Sequence, residues 1–119
     1  MANKLHSTLI TLIVILAVSV RLYSLGNIPS GLSVDEADIG YDAYSLIKTG
    51  RDQWGEPFPI VGFRGFGDYR PVLYTYLVIP SFILFGVDAF SLRLPSVLFG
   101  IFSVGILYLL IKKIFNLIN

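Results

Sequence analysis

Three long apolar runs decide what this chain can be. Residues 5–25 hold an uncharged stretch from 7 to 20 between Lys4 and Arg21, residues 72–87 carry no charge, and residues 94–111 run without one to Lys112 and Lys113. At 1.5 Å per residue the first run reaches the roughly 30 Å of a bilayer core. Backbone groups in lipid must be satisfied within the segment, so runs of this kind are helices. Only 14% of the 119 residues are charged and 55% are hydrophobic, against about 25% charged in ordinary soluble domains. The expectation is an all-α, multi-pass integral membrane protein. It is a single membrane domain over residues 1–119 with about three transmembrane helices, at 5–25, 72–87 and 94–111.

Each run carries further information. The first competes with a cleaved signal peptide, since Ala17 and Ser19 offer small residues for cleavage, but its apolar character continues through Leu22 to Leu25. The second is short, and Pro80 in its middle frees a carbonyl that a neighbouring helix or Ser81 has to satisfy, which fits a helix packed among others. In the third, Ser96, Gly100 and Ser103 form a stripe of small residues that allows close helix contact. Asp88 and Arg93 bracket a tight turn before it.

Lys4 favours a cytoplasmic amino end, which puts residues 26–70 outside. That loop holds four basic residues against seven acids, as expected of a non-cytoplasmic segment. Lys112 and Lys113 argue the other way, because three spans would leave them outside. The conflict is relieved by a re-entrant second run, or by a larger protein whose later loops set the orientation. The absence of cysteine removes disulfides, thiolate metal ligands and thiol nucleophiles. A net charge of +1 gives no basic field for nucleic acid, and the Phe63-Arg64-Gly65-Phe66 segment sits in an acidic loop.

Within the external loop, residues 33–50 form a polar island with the marks of a capped, amphipathic juxtamembrane helix over 34–49. Ser33 and Glu36 make a capping-box pattern, while Lys48 and Gly50 supply the stop. Val34, Ala37, Tyr41 and Tyr44 fall on one stripe, for contact with other helices or lipid, and Asp35, Asp38 and Asp42 take the adjacent one. The helix N-terminus favours the first acids, Asp35 and Glu36. For Asp38 and Asp42 the simplest reading is a wetted helix face. Beyond Gly50, prolines, glycines and aromatic residues describe an ordered loop along the membrane surface.

The ordered set Ile28-Pro29-Ser30-Gly31-Leu32-Ser33-Val34-Asp35-Glu36-Ala37, Tyr41-Asp42-Ala43-Tyr44-Ser45-Leu46, Thr49-Gly50-Arg51-Asp52, Trp54-Gly55, Asp68-Tyr69-Arg70-Pro71-Val72 and Arg93-Leu94-Pro95-Ser96 resembles the start of GT-C glycosyltransferases. The group it is most similar to holds the dolichyl-phosphate-mannose protein mannosyltransferases and aminoarabinose transferases. The resemblance implies an extracytoplasmic, inverting transfer of a sugar from a polyprenyl-phosphate donor, at a prokaryotic cell membrane. Asp35 would be the general base or would orient the acceptor, with Glu36 beside it as a supporting acid of the same catalytic pair. Asp68, Tyr69 and Arg70 would form the substrate-binding element. Relatives have an acidic-Lys-Pro-Pro element there. The acid here is one residue further from the proline, Arg70 stands for the lysine and Val72 for the second proline, which leaves phosphate contact by Arg70 and weakens the case for a divalent metal ion at Asp68.

Family enzymes carry many more membrane helices, so the chain reads as the N-terminal portion of a larger domain, completed by further helices or another chain and inactive alone. The rival reading is a small non-enzymatic membrane protein whose external helix mediates binding or self-assembly.

Overall fold

A computed structural model describes the backbone of residues 2–65 and 67–118 and the side chains of residues 8–65 and 67–115. The Lys4 side chain and Phe66, used above, lie outside the described residues. The elements run α1 (Ala2–Leu22), α2 (Val34–Thr49), β1 (Phe63–Arg64), β2 (Tyr69–Arg70), α3 (Val72–Phe85) and α4 (Ala89–Ile118). The protein is thus mostly helical. A two-residue antiparallel ribbon pairs Phe63 with Arg70 and Arg64 with Tyr69, an element that an all-α expectation omits.

Of the three expected spans, only α4 has the length and apolarity to cross a membrane among the described residues, over Ala89–Phe115. Thr8–Leu22 and Val72–Phe85 are shorter apolar helices. Helix α1 stops at Leu22, so Tyr23, Ser24 and Leu25 lie beyond it. Helix α3 has 14 residues, about 21 Å at the α-helical rise, and continues through Pro80 to a Gly86 cap. Helix α4 begins five residues before the expected 94. Its start is fixed by Asp88, whose Oδ1 accepts from the Ser91 N–H at 2.7 Å and so satisfies a first-turn donor. Arg93 therefore belongs to the second turn of α4 and not to the turn before it.

The chain divides into two compact units, one of Met1–Tyr23 with Ser96–Asn119 and the other of Ser24–Pro95. In the second unit α2 packs on α3. Ala43, Val78, Phe82 and Leu92 are buried together, with Ile39, Tyr74 and Ile79 packed around them. Two tyrosines of α3 add hydrogen bonds: Tyr74 donates to the carbonyl of Leu92 in α4 and Tyr76 to the carbonyl of Pro59 in the preceding loop, each at 2.9 Å. The buried residues of α2 are thus Asp38, Asp42, Ala43 and Leu46, with Ile39 partly buried beside them. The Val34, Tyr41 and Tyr44 stripe is exposed. Both stripes have helical periodicity, and the aliphatic one is part of the cluster that holds Phe82. Residues 51–57 close a turn around buried Asp52, whose Oδ1 accepts from the N–H groups of Trp54 at 2.9 Å and Glu56 at 2.8 Å.

In the first unit, Gly100 is the position where a side chain would collide with Arg21, because a Cβ there would lie 2.7 Å from Nε. An apolar cleft of about 330 Å³ is lined by Ile10, Val14, Val104, Tyr108 and Ile111 among others.

Candidate functional site at the start of the acidic helix

The capping box of α2 forms as the Ser33/Glu36 spacing predicts. The Ser33 Oγ accepts from the Glu36 N–H at 3.2 Å, and the Ser33 N–H donates to Glu36 Oε2 at 3.0 Å. Arg93 then adds what the spacing does not reveal. Its Nε donates to Glu36 Oε1 at 2.7 Å, and Nη2 to Glu36 Oε2 at 3.1 Å and the Gly31 carbonyl at 2.8 Å. Nη1 donates to the carbonyls of Leu25 at 3.0 Å and Pro29 at 3.2 Å. A guanidinium has five N–H donors, and these five contacts use every one. The Arg93 fork, helped by the Ser33 N–H, holds the Glu36 carboxyl at a pKa of about 2. Glu36 is a fixed anion that ties the chain, with little scope to move a proton.

Asp38 and Asp42 are 4% and 1% exposed, so they do not wet a helix face. Asp38 forms an ion pair with Arg70 and accepts from the Gln53 side-chain amide. Asp42 Oδ1 accepts from the Gln53 N–H at 3.0 Å. Burial pushes the Asp42 carboxyl up, opposed by that N–H and reinforced by the charge of Asp52. Desolvating a carboxylate costs free energy unless it is paired or hydrogen-bonded, and Gln53, in the turn after α2, partners both acids.

Asp35 differs from its neighbours. Its side chain is exposed, and among the described residues no side chain or N–H pairs with its carboxylate. Arg70 comes to the same turn of α2, with Nη1 3.4 Å from the Asp35 carbonyl. A carboxylate in such a place can accept a proton from a hydroxyl brought within about 3 Å. An anionic group beside it would meet the guanidinium of Arg70.

Within the expected substrate-binding trio, Tyr69 and Arg70 alternate along β2. Asp68 and Tyr69 are exposed and line a surface depression of about 390 Å³ with Trp54 and Arg64. The Trp54 indole donates to the Arg64 carbonyl at 2.7 Å, and the Arg64 guanidinium lies 5.0 Å from the Trp54 ring centre. The Asp68 carboxylate and the Arg70 guanidinium both come close to Gly65. Gly65 leaves room for them, since a Cβ there would lie 2.7 Å from Arg70 Nη2 and 2.6 Å from Asp68 Oδ1. Among the described residues no three His, Asp or Glu side chains gather as a metal set. The residues do not fit a divalent ion bound through Asp68.

Arg93 and Gln53 escape a reading of the sequence. Arg93 stands at the mouth of an apolar run, where an unpaired charge is costly, and that cost is the signal that it has partners. Nothing in the spacing of Gln53 announces its role. The chain matches no protein-family profile, no curated protein and no solved structure.

Proposed function

We propose that this chain is the N-terminal, acidic-loop portion of a GT-C-type membrane glycosyltransferase. In this reading α1, α3 and α4 are its first membrane-embedded helices, α2 lies outside at the bilayer surface, and the donor is a polyprenyl-phosphate-linked sugar. The observation that carries the proposal is the state of the four acids on α2. Glu36, Asp38 and Asp42 are engaged by Arg93, Arg70 and Gln53, whereas the Asp35 carboxylate has no partner among the described residues.

Asp35 acts as general base. The acceptor hydroxyl oxygen forms a bond to the anomeric carbon, its proton passes to the Asp35 carboxylate, and the bond from that carbon to the phosphate oxygen breaks. The polyprenyl phosphate leaves with the electron pair, which inverts the configuration. Arg70, already at the first turns of α2, reads the phosphate.

The test is transfer from a polyprenyl-phosphate-linked sugar by membranes carrying the protein in full-length context. Asp35→Asn should lower turnover by about 10²–10⁴, the usual loss with a general base, with donor binding little changed. Glu56→Gln, at an exposed acid of the same loop, should stay within about tenfold of wild type by the same scale. Arg70→Ala should weaken donor binding, because it acts on the bound ground state as well. Near-normal turnover by a membrane-inserted Asp35→Asn protein would overturn the proposal. It would favour a non-enzymatic membrane protein whose helix binds a partner through the exposed Val34, Tyr41 and Tyr44 stripe.

A further inference from the structure

The geometry points to Arg93 as the positioning residue for Asp35. This inference rests on the reading of Asp35 as the reactive carboxylate, and it concerns how that carboxylate is aimed. Residues 23–33, between α1 and α2, have no regular secondary structure, so no ladder of hydrogen bonds decides the direction from which the chain enters α2. One side chain does so instead. The carbonyls of Leu25, Pro29 and Gly31 and both carboxylate oxygens of Glu36 converge on the Arg93 guanidinium at 2.7 to 3.2 Å. Arg93 is 6% exposed.

The shape of the group matters as much as its charge. A planar fork can hold three carbonyls on one side and a bidentate carboxylate on the other, whereas a lysine ammonium has three donors from a single nitrogen. Glu36 follows Asp35 directly and closes the capping box on Ser33, so fixing Glu36 and the approach segment fixes the rotation of the first turn. The Asp35 side chain, which no other group among the described residues holds, takes its direction from that turn. Asp38, on the next turn, is tied to β2 through its ion pair with Arg70. Arg93 acts on the reaction through Asp35 and touches no substrate.

The absence of cysteine makes a direct test available. Asp35→Cys introduces the sole thiol at the position in question, and its alkylation by a small neutral maleimide is followed against pH with the protein in lipid nanodiscs. A thiol in the first turn of a helix has its pKa lowered from about 8.5 by the oriented backbone N–H groups. With Arg93 intact, the reaction should accelerate at a pH below that of a free thiol. Arg93→Lys keeps the positive charge but loses the fork. It should move the midpoint up, and slow alkylation at pH 7 about five- to tenfold as the thiolate fraction falls. A thiol placed at Tyr41, two turns along the same helix, should be unaffected.

Glu36→Asp, which keeps the charge but shortens the reach to the Arg93 fork and leaves the three carbonyl contacts, provides a second variant and should shift the position 35 profile in the same direction. Unchanged profiles at position 35 in both variants would overturn the inference. So would equal changes at positions 35 and 41 in both, since Arg93 would then hold the whole helix and not its first turn. These outcomes are independent of turnover. Normal transfer by Asp35→Asn would sink the base and leave the thiol shift standing.

Discussion

Asp35, Glu36, Asp38 and Asp42 sit within two turns of one helix and have four different surroundings. Glu36 and Asp42 respond to pH in opposite senses. The Glu36 carboxyl, held at about 2 in the fold against about 4.3 in an unfolded chain, stabilises the fold fully above the unfolded value. That contribution is lost as pH falls through the range between them. Thermal midpoints in detergent should therefore fall between pH 5 and pH 2, on the order of the range set by those two values, and Glu36→Gln should flatten that fall. Asp42, pushed up by burial, is strained as a carboxylate at neutral pH. Asp42→Asn keeps an acceptor for the Gln53 N–H and should leave stability at pH 7 within about 1 kcal/mol, whereas Asp42→Ala strands that N–H and should cost about 1–3 kcal/mol. Equal losses for the two, by denaturant or thermal unfolding, would show that the contact carries no weight. Ser33 and Glu36 were legible in the sequence because a capping box is local. The burial of Asp38 and Asp42 was not, because their partners Gln53 and Arg70 lie 15 and 32 positions away from Asp38 and belong to a turn and a ribbon.

Among the elements, α2 was the most readable. Its bounds Val34–Thr49 and its Gly50 cap, with φ of 69°, follow from residues whose conformational preferences are strong. Which face it buries depended on α3, since two stripes of the same period were available. The ribbon of β1 and β2 was invisible because two-residue strands carry no period, and its register comes from the Gly65 N–H bonding the Asp68 carbonyl at 2.8 Å. Helix α4 began early because Asp88, read as one side of a turn, serves as a cap. Phe82 is the element-scale anchor of α3. It is 5% exposed, and it packs with Ala43 of α2 and Leu92 of α4. Phe82→Ala should cost about 3–5 kcal/mol, read as a lower unfolding midpoint in detergent. The exposed Leu84 of the same helix, 73% accessible, should tolerate alanine within about 0.5 kcal/mol. A small loss at Phe82 would mean that α2 does not rest on α3.

For the whole molecule, the glycosyltransferase reading requires the acidic helix to face outward from a membrane, where polyprenyl-phosphate sugars would be used. Among the described residues helix α4 is long and apolar enough to cross, and Thr8–Leu22 of α1 and Val72–Phe85 are shorter apolar helices. Charge supports an outward loop, with four basic residues against seven acids over residues 26–70. The sequence foretold the apolar runs because lipid leaves a chain few choices. The chemistry proposed for the chain starts from a resemblance, and the packing that leaves the Asp35 carboxylate without a partner among the described residues needed the fold. The most direct measurement uses the absence of native cysteine. Single cysteines at Ser30, Glu56 and Asn3 are exposed in intact cells to a membrane-impermeant maleimide, with labelling after lysis as reference. Labelling of positions 30 and 56 from outside, and of position 3 only after lysis, is the expected result. The reverse pattern would put Asp35 on the cytoplasmic face and contradict its proposed role as the base of an extracytoplasmic sugar transfer.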